Sequence, residues 1–238
     1  MHKIPLANTL TTFCATLVLL LLLIGCGGGS SSTAPDAKQL IRSAQTAIQK
    51  VSSYHFNLKA QNLGNGGQLP IQNADGDIVV PDKLQATASV IFNGATVQAQ
   101  FIAVGDKQYL NIFGGWQPTS GLLDPRAISD PQRGVAGILG QLQNPSAPTD
   151  SSSDGTPCWS INGKLEASNL ASITGGGAPT GTLDDVKVCI GKSDNLPYLI
   201  VITGVATQGD TTQTVRTFKL SKFNENITIN APVVAATP

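Results

Sequence analysis

The chain has 238 residues, with 15 basic and 15 acidic side chains, two histidines and four cysteines. A net charge of zero and a charged fraction of only 13% exclude the basic footprint that nucleic-acid binding requires, so we expect no nucleic-acid partner. The same balance excludes a polybasic membrane patch.

The N terminus has the pattern of a secretory signal peptide. A basic residue, Lys3, precedes an apolar stretch from about Leu6 to Ile24, and small residues follow it. This stretch is nearly long enough for a transmembrane helix, which needs roughly 20 apolar residues, so an uncleaved signal anchor is the alternative.

A cysteine stands where the apolar stretch gives way to glycine and serine. Residues 23–26, Leu-Ile-Gly-Cys, resemble the bacterial lipobox, in which the cysteine is acylated on sulfur and becomes the first residue of the mature chain. We therefore predict a signal peptide at 1–25, lipidation of Cys26 and a flexible tether at 26–35. The acyl chains would hold the mature protein on the extracytoplasmic face of the cell membrane.

The first predicted helix of the mature chain begins at Asp36. Apolar residues recur at helical spacings of three and four, at Leu40, Ala44, Ala47, Ile48 and Val51. Asp36 and Gln39 together resemble a capping box. We expect this helix to cover a sheet.

From Ser52 the apolar pattern changes to a period of two, which predicts a strand. Further strands are predicted at Leu84 to Phe92, Ala95 to Val104 and Gln108 to Phe113. Asn93-Gly94 is a strong signal for a tight hairpin turn, and such turns join antiparallel strands.

The strand pattern stops between Pro118 and Asn144. One helical face is apolar, at Val135, Ile138, Leu139 and Leu142. Three glycines interrupt this helix, and each weakens it by up to about 1 kcal/mol relative to alanine, so it must be held by packing. The following residues 144–157 are predicted to form a surface loop.

The second half repeats the strand pattern around a short helix predicted at 165–173. Strands are predicted at Cys158 to Leu165, Val186 to Ile190, Tyr198 to Ala206, Thr212 to Leu220 and Ile227 to Ile229. The predicted fold class is therefore α+β, with one large antiparallel sheet packed on a few helices in a single domain at 36–238.

Two of the four cysteines remain for the folded domain. Cys14 lies in the predicted signal and Cys26 carries the predicted lipid, which leaves Cys158 and Cys189. In an exported protein, this pair is most simply a disulfide. A pair of metal-ligand thiols is the alternative, although His55 is the only histidine of the mature chain to join them.

Catalytic patterns are weak in this sequence. His55 alternates with aromatic residues in a predicted strand, and no nucleophile-elbow motif accompanies it. The acidic pairs Asp75/Asp77 and Asp184/Asp185 lie among turn-forming residues, where aspartate is favoured for local hydrogen bonds. We predict no enzyme activity, no metal and no cofactor.

Seven features in order resemble the LppX/LprAFG family of bacterial lipoproteins. A lipobox and tether are followed by "VSSYHFNL", "DIVVPDKLQATA", "VGDKQYLNIFGGW", "LLDPRAISDPQRGVAGILGQL", "INGKLEASNL" and "VRTFKLSKFNENITINAP". The resemblance implies a strongly curved half-barrel similar to the LolA and LolB carriers, with a large apolar cavity. Matched by position, the cavity would involve Phe101, Tyr109, Ile112, Trp116, Val135, Ile138, Leu139 and Leu142.

The function implied by this resemblance is lipid binding. We expect a membrane-anchored, monomeric lipoprotein that binds acylated lipid or glycolipid in the cavity and carries it within the cell envelope. The alternative is an interaction or chaperone-like lipoprotein, in which the same concave surface takes an apolar peptide or protein partner.

Overall fold

The computed structural model describes residues 34–64, 70–171 and 180–234. The predicted signal peptide, Cys26 and most of the predicted tether lie outside these ranges. So does the end of the helix predicted at 165–173.

Eleven strands form one sheet, in the order β6-β5-β4-β3-β2-β1-β11-β10-β9-β8-β7. They are β1 Ser53–Gln61, β2 Ile71–Val79, β3 Lys83–Phe92, β4 Ala95–Val104, β5 Lys107–Asn111, β6 Gln117–Thr119, β7 Thr149–Ser153, β8 Thr156–Glu166, β9 Leu183–Gly191, β10 Pro197–Thr203 and β11 Val215–Ser221. All neighbouring strands are antiparallel. Because β6 and β7 lie at opposite edges, the sheet is an open half-barrel, which confirms the predicted fold class.

Both edges of the sheet are short and polar. β6 has three residues and contains Pro118, which cannot donate to a neighbouring strand. β7 has the sequence Thr-Asp-Ser-Ser-Ser over five residues. Short edge strands with proline or polar side chains discourage edge-to-edge association of sheets.

The helices are α1 Ala37–Ile48, α2 Pro125–Ser129 and α3 Val135–Gly140, with a 3₁₀ helix at Ala167–Leu170. Asp36 caps α1 by accepting a hydrogen bond from the backbone N–H of Gln39 at 2.8 Å, which confirms the predicted helix start. α1 packs on α3, where Gln45 Nε2 donates to the carbonyl of Ala136 at 3.1 Å. Within the described ranges, no helix has the length and apolar character needed to cross a bilayer.

The core lies on the concave face of the sheet. Along β8, β9 and β10, Ile161, Val188 and Ile200 face one another across neighbouring strands. They are buried in one cluster with Leu40 of α1 and Leu139 of α3. Residues 34–238 form one compact unit around this cluster.

The predicted disulfide joins Cys158 of β8 to Cys189 of β9, with Cα atoms 5.5 Å apart. The alternation of the two strands places both cysteines on the face opposite Ile161 and Val188. Both cysteines are fully buried.

Three strand assignments differ from the prediction. β2 holds Asp75 and Asp77, which we expected in a turn, and β7 lies in the predicted loop 144–157. Neither strand has the clear alternation of apolar and polar residues that predicts a strand, because β2 carries acidic residues on its outer face and β7 is polar throughout. Residues 227–229 form no strand, although Ile229 is buried.

Candidate ligand cavity

The concave face changes character between the two halves of the sheet. Two cross-strand rows that cross β1 to β5 and continue onto β11 and β10 carry small side chains on β2, β3 and β4. One row runs through Leu110, Phe101, Ala86, Gly76, Phe56 and Leu220, and the next through Ala99, Ala88, Ala74, Leu58, Phe218 and Ile200. Alanine and glycine leave space that larger side chains fill in the other half.

This space is a cavity of about 580 Å³ lined mainly by apolar side chains. It falls within the range of roughly 300–1,000 Å³ that is typical of ligand sites. The cavity reaches the surface at Ile71 and Leu122, whose side chains are 41% and 40% exposed. Its floor is the sheet itself, and it is therefore shaped by rigid elements.

Gly76 lies in the first of these rows and allows β2 and β3 to approach each other closely. A Cβ atom at this position would lie 2.2 Å from the carbonyl oxygen of Gln85 and 2.9 Å from the Cβ of Ala86. No larger residue fits without moving β3. The close approach of β2 and β3 at this point explains a glycine in the middle of a strand.

Two short helices close one end of the cavity. Ile128 of α2 and Val135 of α3 line it there. Asp124 caps α2 through the backbone N–H of Arg126 at 3.0 Å, and the Arg126 guanidinium bonds to Asp106 at 2.7 Å in the turn between β4 and β5. The ion pair with Asp106 therefore holds α2 against the sheet at this end of the cavity.

Most of the polar lining residues come from the connection between β10 and β11, at Thr207, Gln208 and Asp210, and from Arg216 at the start of β11. Arg216 forms a bidentate ion pair with Asp210, with Nη2 to Oδ1 at 2.7 Å and a second bond from Nη1 to Oδ2. Their side chains are only 11% and 2% exposed. The amphiphilic character of the cavity thus comes from this one connection.

A second buried carboxylate lies behind this connection. Asp184 is 1% exposed, its Oδ1 accepts from the backbone N–H of Val205 at 2.7 Å, and its Oδ2 has no hydrogen-bond partner. Burial raises the pKa of Asp184, the Val205 hydrogen bond opposes this rise, and the nearby charge of Asp210 adds to it. We had expected Asp184 and Asp185 in a turn; they lie in β9, where Asp185 pairs with Lys164 at 2.6 Å.

The structure brings three of the predicted cavity residues to the cavity: Phe101, Ile112 and Val135. Tyr109 lies on the opposite face of β5, because strand residues alternate and the cavity takes Leu110 and Ile112. Assigning both Tyr109 and Ile112 to one face was therefore inconsistent.

The other four predicted residues also lie away from the cavity lining. Trp116 is half-buried in the connection after β5, where strand alternation no longer directs it. Ile138 and Leu139 are buried at 4% and 2% exposure in the core beneath α1. Leu142 packs over β8, since its Cγ would lie 2.6 Å from a Cβ at Gly163.

Sequence reasoning missed the small lining residues. The signal that could have found them is the period-two run of Ala86 and Ala88 in β3, repeated across the hairpin by Ala99. Small residues at positions that face a concave surface predict space rather than core.

His55 lies on the convex face of β1, away from the cavity. Its ring nitrogens contact Asp77 at 2.8 Å and Asp75 at 3.2 Å. Partial burial would raise the pKa of Asp77, but hydrogen bonds from Gln85 and His55 outweigh it and hold that pKa below its ordinary value. Among the described residues, no cluster of His, Cys, Asp and Glu has the arrangement of a metal site.

Residues 36–229 match the LppX_LprAFG lipoprotein family. Lipoprotein LprA of Mycobacterium tuberculosis is 24% identical over 206 residues, covering 83% of this chain and 82% of LprA. The lipoarabinomannan carrier protein LprG of Mycobacterium leprae is 24% identical over 150 residues, covering 60% of this chain and 62% of LprG.

The fold is also similar to a solved structure. The crystal structure of LprF from Mycobacterium bovis matches with a TM-score of 0.66 at 22% identity, covering 84% of this chain and 98% of LprF. At this identity the likeness shows the fold, while the family match spans most of the sequence. The chain belongs to the LppX_LprAFG lipoprotein family.

Proposed function

We propose that this chain is a membrane-anchored lipoprotein that binds acylated lipid or glycolipid in its cavity and carries it within the cell envelope. The observation that carries the proposal is a cavity of about 580 Å³ lined mainly by alanine, leucine, isoleucine and phenylalanine. Each methylene transferred from water into such a space contributes about 0.8 kcal/mol. A single acyl chain therefore provides a large driving force.

The lining favours acyl chains over a peptide. A bound peptide brings a backbone N–H and C=O with every residue, and each of these groups costs about 1–3 kcal/mol if buried without a partner. Most polar lining groups belong to one connection, at Thr207, Gln208 and Asp210, together with Arg216. Acyl chains have no hydrogen-bonding groups, so they can contact the remaining apolar walls without this cost.

The same distribution favours an amphiphile in one orientation. Acyl chains would lie along the alanine rows toward α2 and α3, and polar groups would lie beside Thr207 and Gln208. Arg216 and Asp210 cancel each other's charge. This end therefore suits ester, hydroxyl or sugar groups, which is consistent with the carrier named LprG among the relatives.

Anchoring and assembly complete the proposal. We propose that Cys26 is lipidated after cleavage of residues 1–25 and that residues 26–35 tether the domain outside the cell membrane. The short polar edges β6 and β7 support a monomer. We propose binding rather than catalysis, because the one histidine of the mature chain, His55, lies on the face opposite the cavity.

Native mass spectrometry on residues 34–238 produced in a bacterial host tests this proposal. We expect co-purified diacyl or triacyl lipid, identified after extraction. The variant Ala88→Trp fills the cavity and should lose most of the bound lipid. Thr87→Trp places the same side chain on the exposed convex face one residue away and should retain it.

Two results would count against the lipid-carrier proposal. One is a protein free of lipid even after incubation with membrane extract. The other is equal lipid occupancy in Ala88→Trp and the wild type. Bound peptide in place of lipid would favour the chaperone-like alternative.

A further inference from the structure

The two ends of the half-barrel differ sharply in charge. In an antiparallel meander, alternate connections meet at the same end. We call one end the uncharged end; within the described residues it comprises residues 62–64 and 70 between β1 and β2, and the connections 93–94, 112–116 and 204–214. In sequence these connections hold a single ionisable side chain, Asp210, whose charge is balanced by Arg216.

The opposite end is rich in charge, although its connections are shorter. These connections are 49–52, 80–82, 105–106, 154–155, 192–196 and 222–225. They hold Lys50, Asp82, Asp106, Asp154, Lys192, Asp194, Lys222 and Glu225. The contrast between the ends is therefore a property of the fold and not of the composition.

Exposed apolar side chains border the uncharged end. Three of the six large hydrophobic side chains exposed in the described residues lie there, at Ile71, Phe92 and Phe113, with exposures of 41%, 38% and 77%. Leu183 is not part of this surface, because it pairs with the acidic Glu166 across β8 and β9. The rings of Phe92 and Phe113 meet edge to face with centroids 6.1 Å apart. Ile71 also lines the cavity, so the apolar surface and the cavity are continuous.

We propose that the uncharged end docks on the lipid bilayer, with Phe92 and Phe113 entering its interface so that the cavity meets the membrane. This inference rests on the proposed function, because the cargo must come from or go to a membrane. Aromatic side chains are favoured at membrane interfaces. The connections of the uncharged end hold no unpaired charge, so their entry into the interface costs no ion hydration, whereas the charged connections of the opposite end would lose that hydration.

A lipid surface fits this end better than a protein partner does. Protein interfaces typically surround an apolar centre with a polar rim and about ten hydrogen bonds. The connections of the uncharged end hold no unpaired charge by which a protein partner could be selected electrostatically, whereas a bilayer requires no such contact.

The test uses residues 34–238, which form one compact unit, and vesicles of zwitterionic phosphatidylcholine. Trp116 lies in the connection 112–116, whereas Trp159 is buried in β8. We expect Trp116 fluorescence to shift to the blue on binding, and to be quenched by brominated acyl chains. Trp116→Phe should abolish that signal. Binding should be unchanged between low and high salt, since no net charge drives it.

The variant Phe113→Asp should reduce vesicle binding at least about tenfold, because it places a charge in the interface. Val233→Asp is the matched control, since Val233 is 92% exposed but lies outside the uncharged end. It should bind as the wild type does. Equal binding by Phe113→Asp and the wild type would overturn the proposal, as would no binding or binding only to anionic lipid at low salt.

Loading from detergent-dispersed lipid separates this inference from the proposed function. Phe113→Asp should take up dispersed lipid normally yet extract little from vesicles. Ala88→Trp should dock on vesicles yet carry no lipid. If neither the wild type nor any variant takes up lipid from either source, the proposed function is wrong. Trp116 fluorescence would still show whether the domain docks on vesicles.

Discussion

Arg216 holds Asp210 in a bidentate ion pair beside the cavity, with both side chains largely removed from solvent. Asp210 also accepts from the backbone N–H of Thr207 at 2.7 Å, which fixes the turn of the connection 204–214. The pair therefore joins the polar wall of the cavity to the first residues of β11. It is a structural pair as well as part of the lining.

Removing one partner of this pair should be costly. We expect Arg216→Met to lower the free energy of unfolding by about 3–5 kcal/mol, because Asp210 is left as a buried, unpaired charge. The double variant Arg216→Met/Asp210→Leu should recover much of this loss. Chemical denaturation of the three proteins measures both effects, and similar losses in the single and double variants would refute the buried-pair interpretation.

Asp184 should make stability depend on pH. Its pKa is raised in the folded protein, so folding favours the protonated form, and ionisation above that pKa costs stability. In Asp184→Asn this cost is absent. The unfolding free energy of the wild type minus that of Asp184→Asn should therefore increase as pH falls from 7 through the raised pKa of Asp184. It should become constant below about 3.9, the ordinary aspartate pKa.

Asp185→Asn is the control for this pH experiment. Asp185 is adjacent in sequence, but its side chain is 67% exposed and pairs with Lys164 on the surface. Its variant should differ from the wild type by a small amount at all pH values. A pH-independent difference for Asp184→Asn would contradict the raised pKa.

Loss of the disulfide should destabilise the domain without unfolding it. A bridge between residues 31 apart in sequence contributes about 3–4 kcal/mol in the chain-entropy model. We expect Cys158→Ser/Cys189→Ser to lower the melting temperature and to keep the circular dichroism of the folded sheet. An unchanged melting curve, with or without reductant, would show that the bridge does not contribute.

Core and cavity residues should respond differently to truncation. Leu139 is 2% exposed beneath α1, so Leu139→Ala should cost about 2–5 kcal/mol while lipid selectivity is preserved. Phe101 is half-buried and lines the cavity, so Phe101→Ala should cost less stability and shift the bound lipids toward larger cargo. Melting curves and lipid profiles of both variants check this, and identical lipid profiles would argue against Phe101 as a lining residue.

Most of the fold could be predicted from the sequence, because strand alternation, the turn at Asn93-Gly94 and the cap at Asp36 are local signals. β2 and β7 could not be found in this way. β2 carries acidic residues on its outer face and β7 is a polar edge strand, so neither has a clear alternating apolar pattern and pairing with neighbouring strands determines both.

The cavity was harder to predict than the fold. Apolarity alone does not distinguish a residue that fills the core, such as Leu139, from one that faces empty space, such as Phe101. Which of the two applies depends on how far α1 and α3 extend over the sheet. That arrangement is a tertiary property, and the apolar periodicity around Leu139 and Phe101 does not encode it.

In the alanine rows, the volume available for cargo and the stability of the sheet depend on different parts of the residue. Ala86 and Ala88 are paired in the ladder through their backbones, while their methyl groups face vacant volume. Exchange of such a methyl for a larger apolar group alters how much cargo fits without breaking a hydrogen bond. The shape of the cargo space can consequently evolve one residue at a time, with a folded protein at every step.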